Sequence, residues 1–223
     1  MNTPVIIIAR TIVDDAEKRA FEDAVIDGVR RLSGIRVLVV PEASHLSEDH
    51  AGLDALRTAA DDTVVYASWL YPRAARWLLR SLGVDGDARG VYAFGDFDTP
   101  DALVDAFPRG DEDAPASVDV IDAPARERWY PVLDYETCVN CHQCYDFCLF
   151  GVFTLNDDGY PAVTSGDNCK PGCVACARLC PKGAIMFPHH DGDAGIAGAS
   201  GQKPAGADAN LQAILSELSL IHI

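Results

Sequence analysis

Outside the stretch from Cys138 to Cys180 this chain of 223 residues has no cysteine at all, so most of it cannot be stapled by disulfides or hold a thiolate-bound metal. No apolar run reaches the eighteen or so residues that a membrane helix needs. The opening MNTPVIIIARTIVDD has an apolar core, but no basic residue precedes it and acids follow closely, so a secretory signal is not expected. Reduced thiols in the cytoplasm are the expectation instead. Positive charge is scarce: 18 Lys and Arg stand against 34 Asp and Glu, a net charge of -16. Such an acidic chain repels phosphates, which excludes nucleic acid as a partner. Up to Arg128 there are 14 basic and 24 acidic residues, and beyond it 4 and 10. Both parts being acidic, redox protein partners steered by charge are expected to present basic docking faces. No GxGxxG follows the first apolar run, no GxxxxGK occurs, and no nucleophile elbow is present, so neither nucleotide binding nor hydrolysis has a sequence signal.

What the chain does have is two cysteine runs. Cys138, Cys141, Cys144 and Cys148 read CVNCHQCYDFC; Cys169, Cys173, Cys176 and Cys180 read CKPGCVACARLCP. Thiolates spaced by two, two and three residues wrap a loop and one helical turn around an iron-sulfur cube. Zinc usually takes two separated CxxC pairs, and four disulfides would suit a small secreted framework. Two cubane clusters, two zinc sites and a disulfide set are the alternatives that the residues leave.

Over about residues 129 to 188 the runs resemble those of the bacterial-type two-cluster ferredoxins. In that family the fourth cysteine of each run ligates the other cluster. The resemblance therefore implies that Cys138, Cys141, Cys144 and Cys180 hold one 4Fe-4S cluster, and Cys169, Cys173, Cys176 and Cys148 the second. It also implies a ferredoxin-like α+β fold around them. The chain departs from the pattern twice. Pro181 follows Cys180 as in the family, whereas Leu149 follows Cys148; and the second run has one extra residue, so Lys170, Pro171 and Gly172 must make a wider loop. The second site is open between a 4Fe-4S and a 3Fe-4S cluster. Phe147, Phe150, Phe153, Ile185 and Tyr145 are candidates for a shell that keeps water away, and His142 reads as an exposed loop residue.

The first half alternates strand and helix. Val5 to Ala9, Arg36 to Val40, Thr63 to Ser68, Val91 to Phe94 and Val118 to Ile121 read as strands, the first two as continuous apolar runs buried on both faces. Between them come a helix after Asp14 and Asp15, a short one over Leu53 to Ala60, one opened by Pro72 and closed by Gly83, and one over Pro100 to Phe107. This predicts an α/β domain, a parallel sheet with flanking helices. Ligands of such sheets sit beyond the carboxyl ends of the strands, here Ala9 to Thr11, Pro41 to Ser44, Ser68 to Arg73 and Gly95 to Asp98. Residues 63 to 84, with Tyr71, Pro72 and Arg73 at their centre, are weakly similar to the strand, Ser-Pro-Arg and helix segment of the heterodisulfide reductase flavin subunit and related electron-transfer scaffolds. That likeness transfers no flavin site. The loop with His45, Glu48, Asp49 and His50 reads as polar surface, and Arg73, Arg76 and Arg80 as a solvated face paired with Asp85, Asp87 or Asp96.

The organisation read from the sequence is an α/β domain over 1–122, a two-cluster domain over 123–190, a flexible linker over 191–209 rich in Gly, Ala and Asp, and an amphipathic helix over 210–223. Leu211, Ile214, Leu215 and Leu218 mark its apolar face, which must be buried against this chain or a partner subunit. The function expected is an electron carrier or electron-transfer subunit of an oxidoreductase, relaying single electrons, with the first domain as docking or assembly platform. The alternative is an iron-sulfur subunit whose first domain binds a flavin or an organic substrate.

Overall fold

The computed structural model describes residues 3–60, 64–84, 90–110 and 114–202, in two compact units divided between Arg128 and Trp129. The expected helix over 210–223 lies outside the described residues.

In the first unit β1 (Val5–Arg10) is followed by α1 (Ala16–Val29), β2 (Arg36–Pro41), α2 (Ala51–Ala59), β3 (Val64–Ser68), α3 (Pro72–Ser81), β4 (Gly90–Ala93), α4 (Pro100–Ala106) and β5 (Ser117–Val120). The five strands form one parallel sheet in the order β4-β3-β1-β2-β5. Right-handed crossovers then decide where each helix lies. The path from β1 to β2 runs one way along the sheet; those from β2 to β3 and β3 to β4 run the other way; that from β4 to β5 returns. Hence α1 and α4 share one face and α2 and α3 the opposite one. Accordingly Ile6, Ile8, Val37, Val39 and Val65 pack with Val25, Val29, Leu103 and Val104 of α1 and α4. The alternate residues Ile7, Leu38, Val40 and Tyr66, buried as well, point to the other face. Gly28 makes the crossing of α1 and α4 close: a Cβ there would stand 2.7 Å from Val104 Cγ2.

Local chemistry sets the helix starts. The Asp15 carboxylate accepts from the amides of Glu17 and Lys18, and Pro72 and Pro100 open α3 and α4, where their missing N–H costs nothing.

The second unit has little regular structure. β6 (Val132–Leu133) pairs antiparallel with β9 (Ile185–Met186), and β7 (Phe153–Leu155) forms a hairpin with β8 (Pro161–Val163). α5 (Gln143–Phe147) and α6 (Ala175–Leu179) are short and pack on each other. Ahead of the first cysteine run only Val132 and Leu133 are strand, and Trp129 does not join them. Trp129 instead stacks on Phe187 at 5.3 Å and donates its indole N–H to the Cys173 carbonyl, and Pro131 has no N–H to pair.

The reading of 191–209 as a flexible linker is corrected where the residues are described. Asp193 caps a turn, α7 (Ala194–Ala197), accepting from the amides of Gly195 and Ile196. Ile196 is fully buried in the core of this unit, and its carbonyl accepts from the Phe187 amide at 2.7 Å. One aliphatic side chain and one capping carboxylate outweigh a flexible composition.

Candidate functional site

The eight thiols are set out by loops that fold on themselves. Ahead of the first run, buried Asp134 accepts from the amides of Glu136 and Thr137 and from the Thr137 hydroxyl, while the Cys138 amide bonds to its carbonyl. This Asx turn aims Cys138 inward; the sequence reading passed over it, although Asp-x-x-Thr is the pattern such a turn leaves. Asn140 and His142 then take positive φ angles of 53° and 62°, curling the chain between Cys138 and Cys144. His142 is half-buried rather than exposed, and its Nε2 donates to the Gly159 carbonyl at 2.9 Å, bracing the first loop on the β7–β8 turn. In the second run Gly172 has a φ of 78°, so the extra residue is absorbed where no Cβ resists.

Two recesses result. One is lined by Cys138, Cys141, Cys144 and Cys180, with Leu133, Pro161 and Ile185 among its walls. The other is lined by Cys148, Cys169, Cys173 and Cys176, with Pro131, Phe147, Leu149, Phe150, Val152 and Phe153. Each therefore takes three sulfurs from one run and the fourth from the other. Cys144 and Cys176, on the packed helices α5 and α6, are close enough to act on each other electrostatically and bring the two sets together.

Electrostatics inside the recesses favour the neutral thiol. Burial pushes Cys144 up to about 12 and Cys169 up to about 11, and raises Cys138 and Cys176 as well, with neighbouring thiols adding to it. Thiolates gathered this closely repel one another unless a cation lies between them, so metal binding here must release protons. Peptide donors already face the first set: the Ala184 amide reaches Cys180 Sγ at 3.2 Å, and the Asn140 and Tyr145 amides bond to Cys138 and Cys144. Such N–H donors hold sulfur ligands and tune the group that they bind. Among the described residues no three His, Cys, Asp or Glu side chains converge closely enough to hold a single metal ion. Of the expected shielding residues, Phe153 and Ile185 are buried, whereas Tyr145, Phe147 and Phe150 are exposed, at 41%, 54% and 42%.

No protein-family model matches the chain. It is 42% identical over 55 residues to the pyruvate synthase subunit PorD of Methanocaldococcus jannaschii, and 39% identical over 61 residues to an uncharacterized ferredoxin of the same organism. These matches take in 25% and 27% of this chain and 62% and 41% of those proteins, so the chain spans less than two thirds of either relative. A second uncharacterized ferredoxin of that organism is 33% identical over 58 residues, 25% of this chain and 74% of its own length. The chain belongs to the ferredoxins. Its cysteine-bearing unit is accordingly a ferredoxin-type iron-sulfur domain.

In this ferredoxin the α/β unit carries polar side chains that the sequence reading missed. Glu22 of α1 is fully buried and accepts from the Thr11 amide at 2.7 Å, the Trp69 indole at 2.9 Å and the Arg10 guanidinium at 3.3 Å. Glu42, after β2, accepts from the Tyr66 hydroxyl at 2.8 Å, and burial lifts its carboxyl to about 7. The loop read as polar surface is so only at Glu48 and Asp49. His50 is buried, caps α2 through Nδ1 and meets the Ala123 carbonyl through Nε2; buried His45 accepts from the Arg128 amide. These histidines hold loops. Asp85 and Asp87 lie outside the described residues, and Arg80 stacks over Trp77, 4.6 Å from its ring centre.

The carboxyl ends of β1, β2 and β5 line an open recess of about 450 Å³ that includes Arg10, Thr11, Pro41 and Asp122. Beside β1 and β3, where the sheet's winding reverses, the space on the α1 side is filled by Trp69 against Phe94 at 5.2 Å and Phe21 at 5.6 Å. The Tyr71-Pro72-Arg73 segment forms the start of α3.

Proposed function

We propose that this ferredoxin is an electron-transfer protein or subunit that carries two 4Fe-4S clusters and passes single electrons between redox partners. Cys138, Cys141, Cys144 and Cys180 are one ligand set; Cys148, Cys169, Cys173 and Cys176 are the other. The observation that carries the reading is the composition of the two recesses, each with four sulfurs drawn three and one from the two runs. When bound, each cluster supplies a change of oxidation state by one electron without making or breaking substrate bonds.

The chain's own residues do the rest. The thiols lose their protons and bind; the Asp134 turn and the His142 brace hold the first loop in register; the Asn140, Tyr145 and Ala184 amides donate to ligand sulfurs; Val152, Phe153 and Ile185 keep water out. Zinc usually takes two separated CxxC pairs, whereas these thiols are spaced by two or three residues within each run, which supports a cube. The likeness to a pyruvate synthase subunit supports work within an oxidoreductase complex, and the α/β unit is then the part that docks or assembles with a partner subunit. Net charge of -16 supports partners with basic faces.

Anaerobic purification with iron, acid-labile sulfide and zinc analysis, followed by electron paramagnetic resonance of the reduced protein, tests this. About eight irons per chain and spin-coupled signals are expected. Stoichiometric zinc, or four disulfides, would overturn it.

A further inference from the structure

The two ligand sets differ in what faces their sulfurs. At the first, three backbone amides point at ligand atoms: the Ala184 amide reaches Cys180 Sγ at 3.2 Å, and those of Asn140 and Tyr145 bond to Cys138 and Cys144. At the second, Cys169 Sγ lies 3.9 Å from the Lys170 carbonyl oxygen, and its other influences are burial and the Cys173 and Cys148 thiols. An ionised sulfur there meets the negative end of a peptide dipole.

Burial differs in the same sense. Cys141 is exposed and only Cys144 of the first set is buried, whereas Cys169 and Cys176 of the second both are. His142 and Gln143 stand among the walls of the first recess; apart from its sulfurs the second is walled by apolar side chains alone, Pro131, Val152 and Phe153 among them.

We infer that the first site, held by Cys138, Cys141, Cys144 and Cys180, is the stronger electron acceptor of the two, so that a single electron added to the chain rests there. The inference rests on the two-cluster reading and deepens it by giving the relay a direction. Reduction adds one negative charge beside the ligand sulfurs. Amide N–H groups aimed at sulfur stabilise that charge, and an apolar surrounding opposes it. The electron that the second site loses is the one that the first gains, with no bond formed or broken.

Two charged side chains oppose this order, and both are weakened. Buried Asp134 acts on Cys138, but it accepts from the amides of Glu136 and Thr137 and from the Thr137 hydroxyl, and its influence on Cys138 is smaller than that of the Asn140 amide. Lys170, next to Cys169, is exposed, so its charge is screened.

Electron paramagnetic resonance of the full chain, poised stepwise with dithionite under anaerobic conditions, tests the order. Two one-electron steps are expected, differing at least tenfold in electron affinity, or about 59 mV. Ala184→Pro deletes the N–H at Cys180 and keeps the carbonyl that accepts from the Asp134 amide, so it should lower the higher step and leave the lower one in place. Tyr145→Pro, in the first turn of α5, should do the same at Cys144. A second measurement needs no substitution: in the chain holding one electron, proton magnetic resonance should find the reduced-site shifts on the β-protons of Cys138 and Cys144, about tenfold in excess over Cys169 and Cys176. Equal or opposite occupancy, or a fall in the lower step alone on Ala184→Pro, would overturn the inference. Iron is counted separately: fewer than about eight per unaltered chain would sink the two-cluster reading, whereas about eight with the reverse order would sink this inference alone.

Discussion

The two units of this protein are held together by different physics. The first builds a five-stranded sheet whose inner strands are buried on both faces, with Ile6, Ile7 and Ile8 all at 0% exposure. The second has strands of two and three residues, helices of five or fewer, and its thiols among the core residues. Hydrophobic side chains fill the first; the second has thiols in its interior, which repel one another when ionised. The difference teaches that a core can be made of side chains alone or can be completed by an inorganic group, and the two respond to different insults.

Removing metal should separate them most sharply. Chelation under anaerobic reducing conditions should unfold residues 129–202 while the sheet of 1–128 survives, read by limited proteolysis with mass spectrometry. Parallel loss of both would end the contrast. Next in size, Cys180→Ser should empty the first site and Cys148→Ser the second, each cutting iron from about eight to about four per chain. If Cys148→Ser instead disturbed the site of Cys138, Cys141 and Cys144, the crossed ligand sets would be wrong. On the other side of the comparison, Leu56→Ala in α2, fully buried, should cost the α/β unit about 2–5 kcal/mol in urea unfolding without changing iron content.

Glu42 gives the α/β unit a pH signature near neutrality. Its carboxyl binds a proton more tightly folded than unfolded, at about 7 against an ordinary 4.5, because of burial. Its contribution is therefore complete below about pH 4.5 and fades as pH rises through 7. The loss over that window is about 3 kcal/mol, and Glu22, raised by burial too, adds in the same direction. Urea midpoints at pH 5 and 7.5, followed by tryptophan fluorescence, should show the slope, and Glu42→Gln should flatten it. The smallest effect belongs to the cysteine unit: His142→Ala removes the bond to Gly159 and should cost about 1 kcal/mol, seen as faster exchange at the β7–β8 turn.

Much of the fold was legible in the residues. Continuous apolar runs announced β1 and β2, and Pro72 and Pro100 announced where two helices begin, because these signals act within a few residues. Glu22 was not legible: it sits on an ordinary helix stripe, and only the approach of Arg10, Thr11 and Trp69 from other elements makes it a buried hub. His45 and His50 failed for the same reason, their partners being Arg128 and Ala123 far along the chain. In the cysteine unit the secondary structure was not legible, since two-residue strands leave no periodic pattern.

The sequence by itself determined the parallel α/β alternation and the grouping of eight thiols into two runs, because both are written in local spacing. Only the tertiary structure decided that Glu22, His45 and His50 are buried, that Ile196 belongs to the core, and that Leu149 faces water. Those outcomes depend on which distant segments meet, and apolar burial and chain reach settle that after the local pattern has done its part.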